Sequence, residues 1–484
     1  MYCIFVEIFT KMKTRLFLFG ILFSTLTLSA QEGKNALQRF LSNNNLSSAG
    51  ISVLVCEVEN GTVIAEHQSK TNRSPASLVK LITTATAIEM LTENFRFQTR
   101  IEYDGAITAD SVLEGNIYIV GGGDPTLESA RRKNSDSFYS QSVKAIQKAG
   151  IRRISGRVIG DASLYDETGS PNQWLVEDVG SYYSPTPSAL SIHDNMFFLT
   201  LKSDLVSVKL EKIQPFTPLL SPVLNFKIGG KEVSWRVSKS DFSWQPVLRG
   251  TMPADKQVTI RTEIPEPALF AADSLSRMLN LVGILTDSSC TTVRMYPVPD
   301  GERQRIFTYY SEPLKNIIKE TNHQSNNLYA ENIFNYLSLL REENVATSKT
   351  SASVVSSFWK ERGVASQKIF QADGSGLSMK NAINADFFVY LLRYMKNKGK
   401  YGEAFVASLP TAGVSGTVSS FMAGTPLSGK AFVKSGSMER VQNYSGYIQY
   451  NDKWYAFCIM VNNYEGDRAT VRKQMSDLLN GLFE

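Results

Sequence analysis

The sequence is poor in the residues on which several kinds of protein depend. Among 484 residues there are only four cysteines and three histidines. Cys3, Cys56, Cys290 and Cys458 show neither paired nor metal-ligand spacing, so no disulfide framework and no metal site is indicated. Cys56 in ISVLVCEV and Cys458 in WYAFCIMV lie in strand-like apolar runs and read as small buried hydrophobes, with a bond between them left open. His67, His193 and His323 all stand outside a nucleophile-elbow context, which disfavours a Ser-His-Asp hydrolase. Charge of one sign is scarce too. The 51 Lys and Arg nearly balance 46 Asp and Glu, no basic stripe is interleaved with aromatics, and Arg131-Arg132-Lys133 reads as solvated surface, so no nucleic-acid partner is expected. A long apolar run occurs near the amino terminus and nowhere else.

That run, LFLFGILFSTLTLSA, follows Met12-Lys13-Thr14-Arg15 and ends at Ala30. Positive residues, a short apolar core and a small residue before Gln31 are the parts of an export signal, and the run is short for a membrane span. Residues 1–30 are therefore expected to be a cleaved signal peptide. Cleavage removes three positive side chains and one negative, taking the formal charge from +5 to +3. The mature chain is expected outside the cytoplasm, in the periplasm or its equivalent, without an integral membrane segment.

A chain this long with 43% hydrophobic residues can build more than one core, so at least two domains are expected. Gly50–Glu57, the turn Asn60-Gly61 and Thr62–His67 read as strand, turn and strand, after a short helix over 34–44. A hairpin feeding a buried helix suggests an α/β layered domain. From about 98 to 303 the chain turns β-rich, with Gly229-Gly230 as a hairpin signal and an irregular stretch over 172–190. Gly121-Gly122-Gly123-Asp124 lacks the Gly-Lys-Ser/Thr of a phosphate loop and reads as a tight turn. The domains are thus expected as 31–97, an insertion over 98–303, and 304–484.

What the sequence does contain is Ser74-Pro75-Ala76-Ser77-Leu78-Val79-Lys80. Ser74 suits an N-cap and Pro75 the first helical position, which predicts a helix beginning just before Ser77 and apolar on nearly every side to Leu91. A spacing of three puts Ser77 and Lys80 on one face. Burial disfavours a charged amine, so a neutral Lys80 could deprotonate Ser77, and the helix start would favour negative charge beside it. Ser77 is a candidate acyl-transfer nucleophile. Ser357 and Lys360 share the spacing but fall in the middle of a helical pattern, and we read them as structural.

Two further motifs follow. Ser325-Asn326-Asn327 interrupts helical patterning before LYAENIFNYLSLL, where a loop can aim polar side chains into a cleft; Ser42-Asn43-Asn44 and Ser170-Pro171-Asn172 share the spacing without that setting. Lys434-Ser435-Gly436 lies in the alternating run 431–437, where a cation beside a hydroxyl makes a carboxylate receptor and Gly436 would admit substrate backbone. The bland alternative is an edge strand blunted by lysine. YSGYIQY and WYAFCIMVNN then read as a hairpin and 469–482 as a closing helix, so that strands from both chain ends share a sheet.

In this order, Ser77-x-x-Lys80, Ser325-x-Asn327 and Lys434-Ser435-Gly436 resemble the penicillin-recognising serine enzymes. GNIYIVGGGDPTL, SNNLYAEN, DGSGLS and LPTAGVSGTV, with the long insertion, resemble the class C low-molecular-mass penicillin-binding proteins, the D-alanyl-D-alanine carboxypeptidase/endopeptidase family, from about Asn35 to the carboxyl end. The resemblance implies an α/β transpeptidase/β-lactamase-like domain, an antiparallel sheet between helices built from both chain ends, with two smaller nested domains in the insertion. It implies Ser77 as acylated nucleophile, Lys80 as base, Ser325 as relay to the leaving group and Asn327 as holder of a substrate amide. Lys434 and Ser435 would bind the terminal carboxylate, and the N–H groups of Ser77 and Ser437 would form the oxyanion hole. Peptidoglycan stem peptides would be substrates and β-lactams inhibitors, with no metal or organic cofactor. Alternative readings are a β-lactamase or esterase with the same motifs, or a non-catalytic wall-binding scaffold. Ser435 departs from the usual threonine, and Met379 stands where arginine often follows DGSGLS.

Overall fold

The computed structural model describes residues 35–132, 137–167, 169–296, 301–341, 345–364 and 369–483. The expected signal peptide and Cys3 lie outside them. Two compact units are formed: residues up to 78 with 383–402 and 409 onward, and residues 79–382 with 403–408.

The first unit is built on a five-stranded antiparallel sheet in the order Val63–His67, Gly50–Glu57, Lys453–Asn462, Val441–Tyr450, Ala431–Met438. Both chain ends contribute strands. Alternation divides the faces. Val53, Val55, Phe457, Ile459 and Val461 pack with Phe40 and with Val471, Met475 and Leu479 of the helix Arg468–Gly481. The helix Ala385–Asn397 packs on the sheet as well, and its Leu392 carbonyl accepts the Tyr447 hydroxyl at 2.7 Å. Asn451 and Asp452 close the last hairpin with φ of 48° and 59°, as a two-residue turn of the primed type needs. Cys56 lies opposite Ala456 and Cys458 opposite Leu54, and both thiols are free.

In the second unit, the helix Val79–Leu91 leaves only Glu89 and Met90 partly exposed and packs among the helices Leu314–His323, Asn327–Ser338 and Ser348–Glu361. Ser357 of the last of these accepts from Arg341 Nη2 at 2.6 Å, in keeping with a structural role. The β-rich stretch forms several small sheets rather than one. One has Gln98–Tyr103 beside Gln304–Tyr310, and Phe97 and Ser311 clasp their ends: Ser311 N donates to Phe97 O at 3.0 Å and Phe97 N to Ser311 Oγ at 2.9 Å. This stretch therefore closes at Ser311 rather than at 303, because its returning strand pairs with its outgoing one. The hairpin expected at Gly229-Gly230 is also corrected. Val223–Ile228 and Ser234–Ser238 do not pair, since Val247–Met252 lies between them, parallel to the first and antiparallel to the second. No helix among the described residues is long and apolar enough to cross a membrane.

Candidate active site

Ser77, Lys434, Ser435 and Ser437 belong to the first unit; Lys80, Ser325 and Asn327 belong to the second. Leu78 and Val79 join the two covalently, so Ser77 and Lys80 remain three residues apart in the chain.

In the first unit Ser77 sits in a single 3-10 turn, Ala76–Leu78, and the α-helix proper begins at Val79. The expected N-cap at Ser74 is corrected by this geometry. Ala76 adopts a left-handed backbone with φ of 46°, which breaks helical continuity before Ser77. The Ser74 carbonyl instead accepts from Asn443 Nδ2 and Asn462 Nδ2, each at 3.0 Å, and its hydroxyl lies 3.9 Å from Met438 Sδ. Two sheet amides thus hold the segment leading into the nucleophile turn. A non-glycine residue at positive φ beside a candidate nucleophile is the kind of strain that functional sites keep.

Against this turn packs the edge strand Ala431–Met438. A Cβ on Gly436 would stand 2.6 Å from Pro75 O and 3.1 Å from Leu78 N. The glycine is therefore required by the protein's own turn, where the sequence suggested room for substrate. Residues 410–412 cover the first half of the edge through Val433 N to Pro410 O at 2.8 Å and Ala412 N to Ala431 O at 2.9 Å. Lys434 is buried and donates to Ser435 O at 2.7 Å; the Ser435 hydroxyl pairs with Thr417 Oγ1 at 2.8 Å. Ser437 is exposed, with its hydroxyl on Gln442 Oε1 at 3.0 Å. An edge strand carrying an amine and a hydroxyl offers backbone pairing and a carboxylate receptor together.

In the second unit Lys80 is fully buried, and Nζ donates to Asn327 Oδ1 and to the Ser375 carbonyl, both at 2.6 Å. Burial lowers its proton affinity from 10.5 to about 7, although Asp373 and Glu331 pull the other way. Both bonds suit a neutral amine, which keeps two N–H groups and gains a lone pair. Asn327 opens the helix Asn327–Ser338, capped by Asn326 Oδ1 accepting Tyr329 N at 3.1 Å, and its Nδ2 donates to Tyr183 O at 2.6 Å. Ser325, just before the cap, has φ of 55°. The structure thus brings Lys80 and Asn327 into contact, with Ser325 two residues away in the chain.

Sequence reasoning missed the support behind Lys80. Glu331, fully buried, accepts Gly374 N at 3.0 Å and Ser375 N at 2.8 Å. Burial, and then the charge of Asp373, push its carboxyl above the usual range. Asp373 accepts Gly376 N and Asn381 Nδ2 at 2.8 Å on one oxygen, Ser378 N at 2.6 Å and Trp174 Nε1 at 3.1 Å on the other. Thr83 donates to Gly374 O at 2.8 Å. These bonds fix the turn that aims the Ser375 carbonyl at Lys80. Glu331 and Asp373 lie inside SNNLYAEN and DGSGLS, so the signal was present as segments though not as named residues. Met379, beyond this turn, is 54% exposed.

Residues 34–482 match the model of the D-Ala-D-Ala carboxypeptidase 3 (S13) family. The chain belongs to this family. It is a serine-type D-Ala-D-Ala carboxypeptidase by that membership, and so a hydrolase of the penicillin-binding class. It is 23% identical over 494 residues to the D-alanyl-D-alanine carboxypeptidase DacB of Haemophilus influenzae, covering 97% of each chain. With the D-alanyl-D-alanine carboxypeptidase of Actinomadura sp. it shares 25% over 452 residues, covering 90% of this chain and 82% of the relative. The crystal structure of penicillin binding protein 4 (dacB) from Haemophilus influenzae superposes with a TM-score of 0.78 at 22% identity, over 92% of this chain and 99% of that one. The same protein complexed with a β-lactam gives 0.75 at 21%, with the same coverage. The fold is accordingly that of penicillin-binding protein 4, mixed α/β with several sheets.

Proposed function

We propose that the enzyme removes the terminal D-alanine from peptidoglycan stem peptides through an acyl-enzyme on Ser77, also cleaves cross-links between stems, and is acylated by β-lactams. The observation that carries this reading is Lys80: a buried amine with proton affinity near 7, held by Asn327 Oδ1 and Ser375 O, one turn along the chain from a serine. Neutral Lys80 takes the Ser77 proton as the oxygen attacks the carbonyl of the penultimate D-alanine. The backbone N–H groups of Ser77 and Ser437 receive the oxyanion, and Lys434 with Ser435 receives the terminal carboxylate. Ser325 passes the proton to the leaving amine, Asn327 holds a substrate amide, and water then frees Ser77. The β-lactam complex of the Haemophilus influenzae protein supports the inhibitor part. The export signal read at 1–30 supports action outside the cytoplasm, where the wall lies. The motif-bearing stretches 31–97 and 312–484 form the transpeptidase-like part and the β-rich stretch, closed at Ser311, an insertion of two smaller domains.

Brief treatment with penicillin followed by peptide mass mapping tests the assignment. The adduct is expected on Ser77, and Ser77→Ala is expected to lose both labelling and release of D-alanine. An adduct on Ser325 or Ser357, or activity retained in Ser77→Ala, would overturn it.

A further inference from the structure

Residues 170–186 of the second unit make several of the contacts behind Lys80, yet their only regular element is the short 3-10 turn Val176–Asp178. Gln173 Nε2 donates to Ala372 O at 3.0 Å and Trp174 Nε1 to Asp373 Oδ2 at 3.1 Å, beside the turn that presents the Ser375 carbonyl. The Tyr183 carbonyl accepts Asn327 Nδ2 at 2.6 Å. A loop with no ladder of its own keeps such a shape only if groups elsewhere satisfy and hold its backbone.

The other side of the loop is held by a buried ion pair. The side chains of Lys239 and Glu263 are 1% and 0% exposed; one Glu263 oxygen pairs with the Lys239 amine and the other, Oε2, accepts Thr186 N at 3.1 Å. The Thr186 carbonyl accepts Asn195 Nδ2 at 2.9 Å, and its hydroxyl lies 3.1 Å from Ser170 Oγ, which donates to Asp241 Oδ1 at 2.8 Å. A Cβ on Gly180 would stand 3.2 Å from Lys239 Cγ, so the loop rests on the lysine stem. Taking two charges out of water costs about as much as their attraction returns, so a pair this deep adds little stability. What it fixes is the place of the carboxylate and of the N–H that the carboxylate receives.

We propose that the Lys239–Glu263 pair is a positioning device for acylation: through the Thr186 N–H it fixes the loop 170–186, and through Tyr183 and Trp174 the loop fixes Asn327 and Asp373 behind Lys80. The proposal rests on the reading of Lys80 as the base for Ser77 given above. It makes the β-rich insertion part of the chemistry, although none of the three motifs lies in it.

The test measures penicillin acylation of Ser77 in the full chain, well below the unfolding temperature, with the rate at saturation separated from the apparent binding constant. Two double variants both remove the ion pair. Lys239→Met with Glu263→Gln keeps an amide oxygen for the Thr186 N–H and is expected to acylate within about three-fold of the unaltered enzyme. Lys239→Met with Glu263→Met offers that N–H no acceptor, and its rate at saturation is expected to fall about ten-fold while the binding constant stays close to that of the unaltered enzyme. Equal saturating rates in the two double variants would overturn the proposal, and a difference confined to their unfolding temperatures would leave the pair a merely structural role. If the second double variant does not fold, Trp174→Phe takes its place, since it removes the loop's donor to Asp373 and keeps an aromatic ring; a rate about three-fold lower is expected, and an unaltered rate overturns the proposal. If the unaltered enzyme is not acylated on Ser77, it is the proposed function that has failed.

Discussion

The Glu331 carboxylate accepts the backbone N–H of Ser375 at 2.8 Å, and the carbonyl of that same Ser375 accepts the Lys80 amine at 2.6 Å. One peptide turn thus carries the position of a buried acid to a buried base. If the turn shifts, the amine loses the Ser375 carbonyl as an acceptor.

Replacing Glu331 by alanine strands the N–H groups of Gly374 and Ser375, each costing about 1–3 kcal/mol when buried without a partner. We expect Glu331→Ala to lose about 2–4 kcal/mol of stability in urea unfolding. Penicillin acylation is expected to fall roughly ten-fold, the equivalent of ~1.4 kcal/mol at the base. Unchanged stability and rate in this variant would remove Glu331 from the account.

The pH dependence follows from Lys80. With its affinity lowered to about 7 by burial, the amine is protonated below that value and cannot accept a proton. The second-order rate of penicillin acylation is therefore expected to rise through about pH 7 and level off above it; a flat profile, or a midpoint near 10, rejects Lys80 as the base. Stability is linked in the same direction. The unfolded amine holds its proton up to about 10.5, so the Lys80 contribution improves as pH rises from about 7 to 10.5 and is worst below 7. Lys80→Met should accordingly gain most over the parent enzyme in acid, as read by thermal unfolding at several pH values.

Gly436 tests the nucleophile turn. A methyl group there would meet Pro75 O at 2.6 Å, a contact with backbone that cannot swing aside. Gly436→Ala is expected to destabilise the protein by about 1–3 kcal/mol and to slow acylation, because the displaced segment leads directly into Ser77. A variant with lower stability but an unaltered acylation rate would show that the turn is not position-sensitive.

Lys434 is expected to matter for carboxylate recognition more than for the nucleophile. Lys434→Ala should lower acylation efficiency about ten- to a hundred-fold, the range of a lost charge-assisted bond. Ser77→Ala should abolish acylation altogether. Equal losses in the two variants would place Lys434 in the proton transfer instead.

Much of this was legible in the sequence, because it depends on local rules. Spacing together with a cap-and-proline start singles out Ser77 with Lys80; a strand-like run before a turn marks 50–57 and alternation marks 431–437; a polar break between helical patterns marks Ser325 and Asn327. Tertiary structure decided what these residues do for one another. One acceptor for Lys80 is a backbone carbonyl 295 residues away, and a carbonyl leaves no mark in a sequence because every residue has one. The left-handed turn at Ala76 is held by asparagines from strands 441–450 and 453–462, and Gly436 is required by Pro75, so neither follows from its neighbours in the chain. The strand 247–252 separates two strands whose connecting Gly229-Gly230 had every local sign of a hairpin, since sheet order is chosen by burial across the whole unit and not by the turn. Sequence thus determined which groups are the candidates for the chemistry, because spacing and local pattern are written in the chain, and long-range packing of backbone and buried charge decided the surroundings of Lys80.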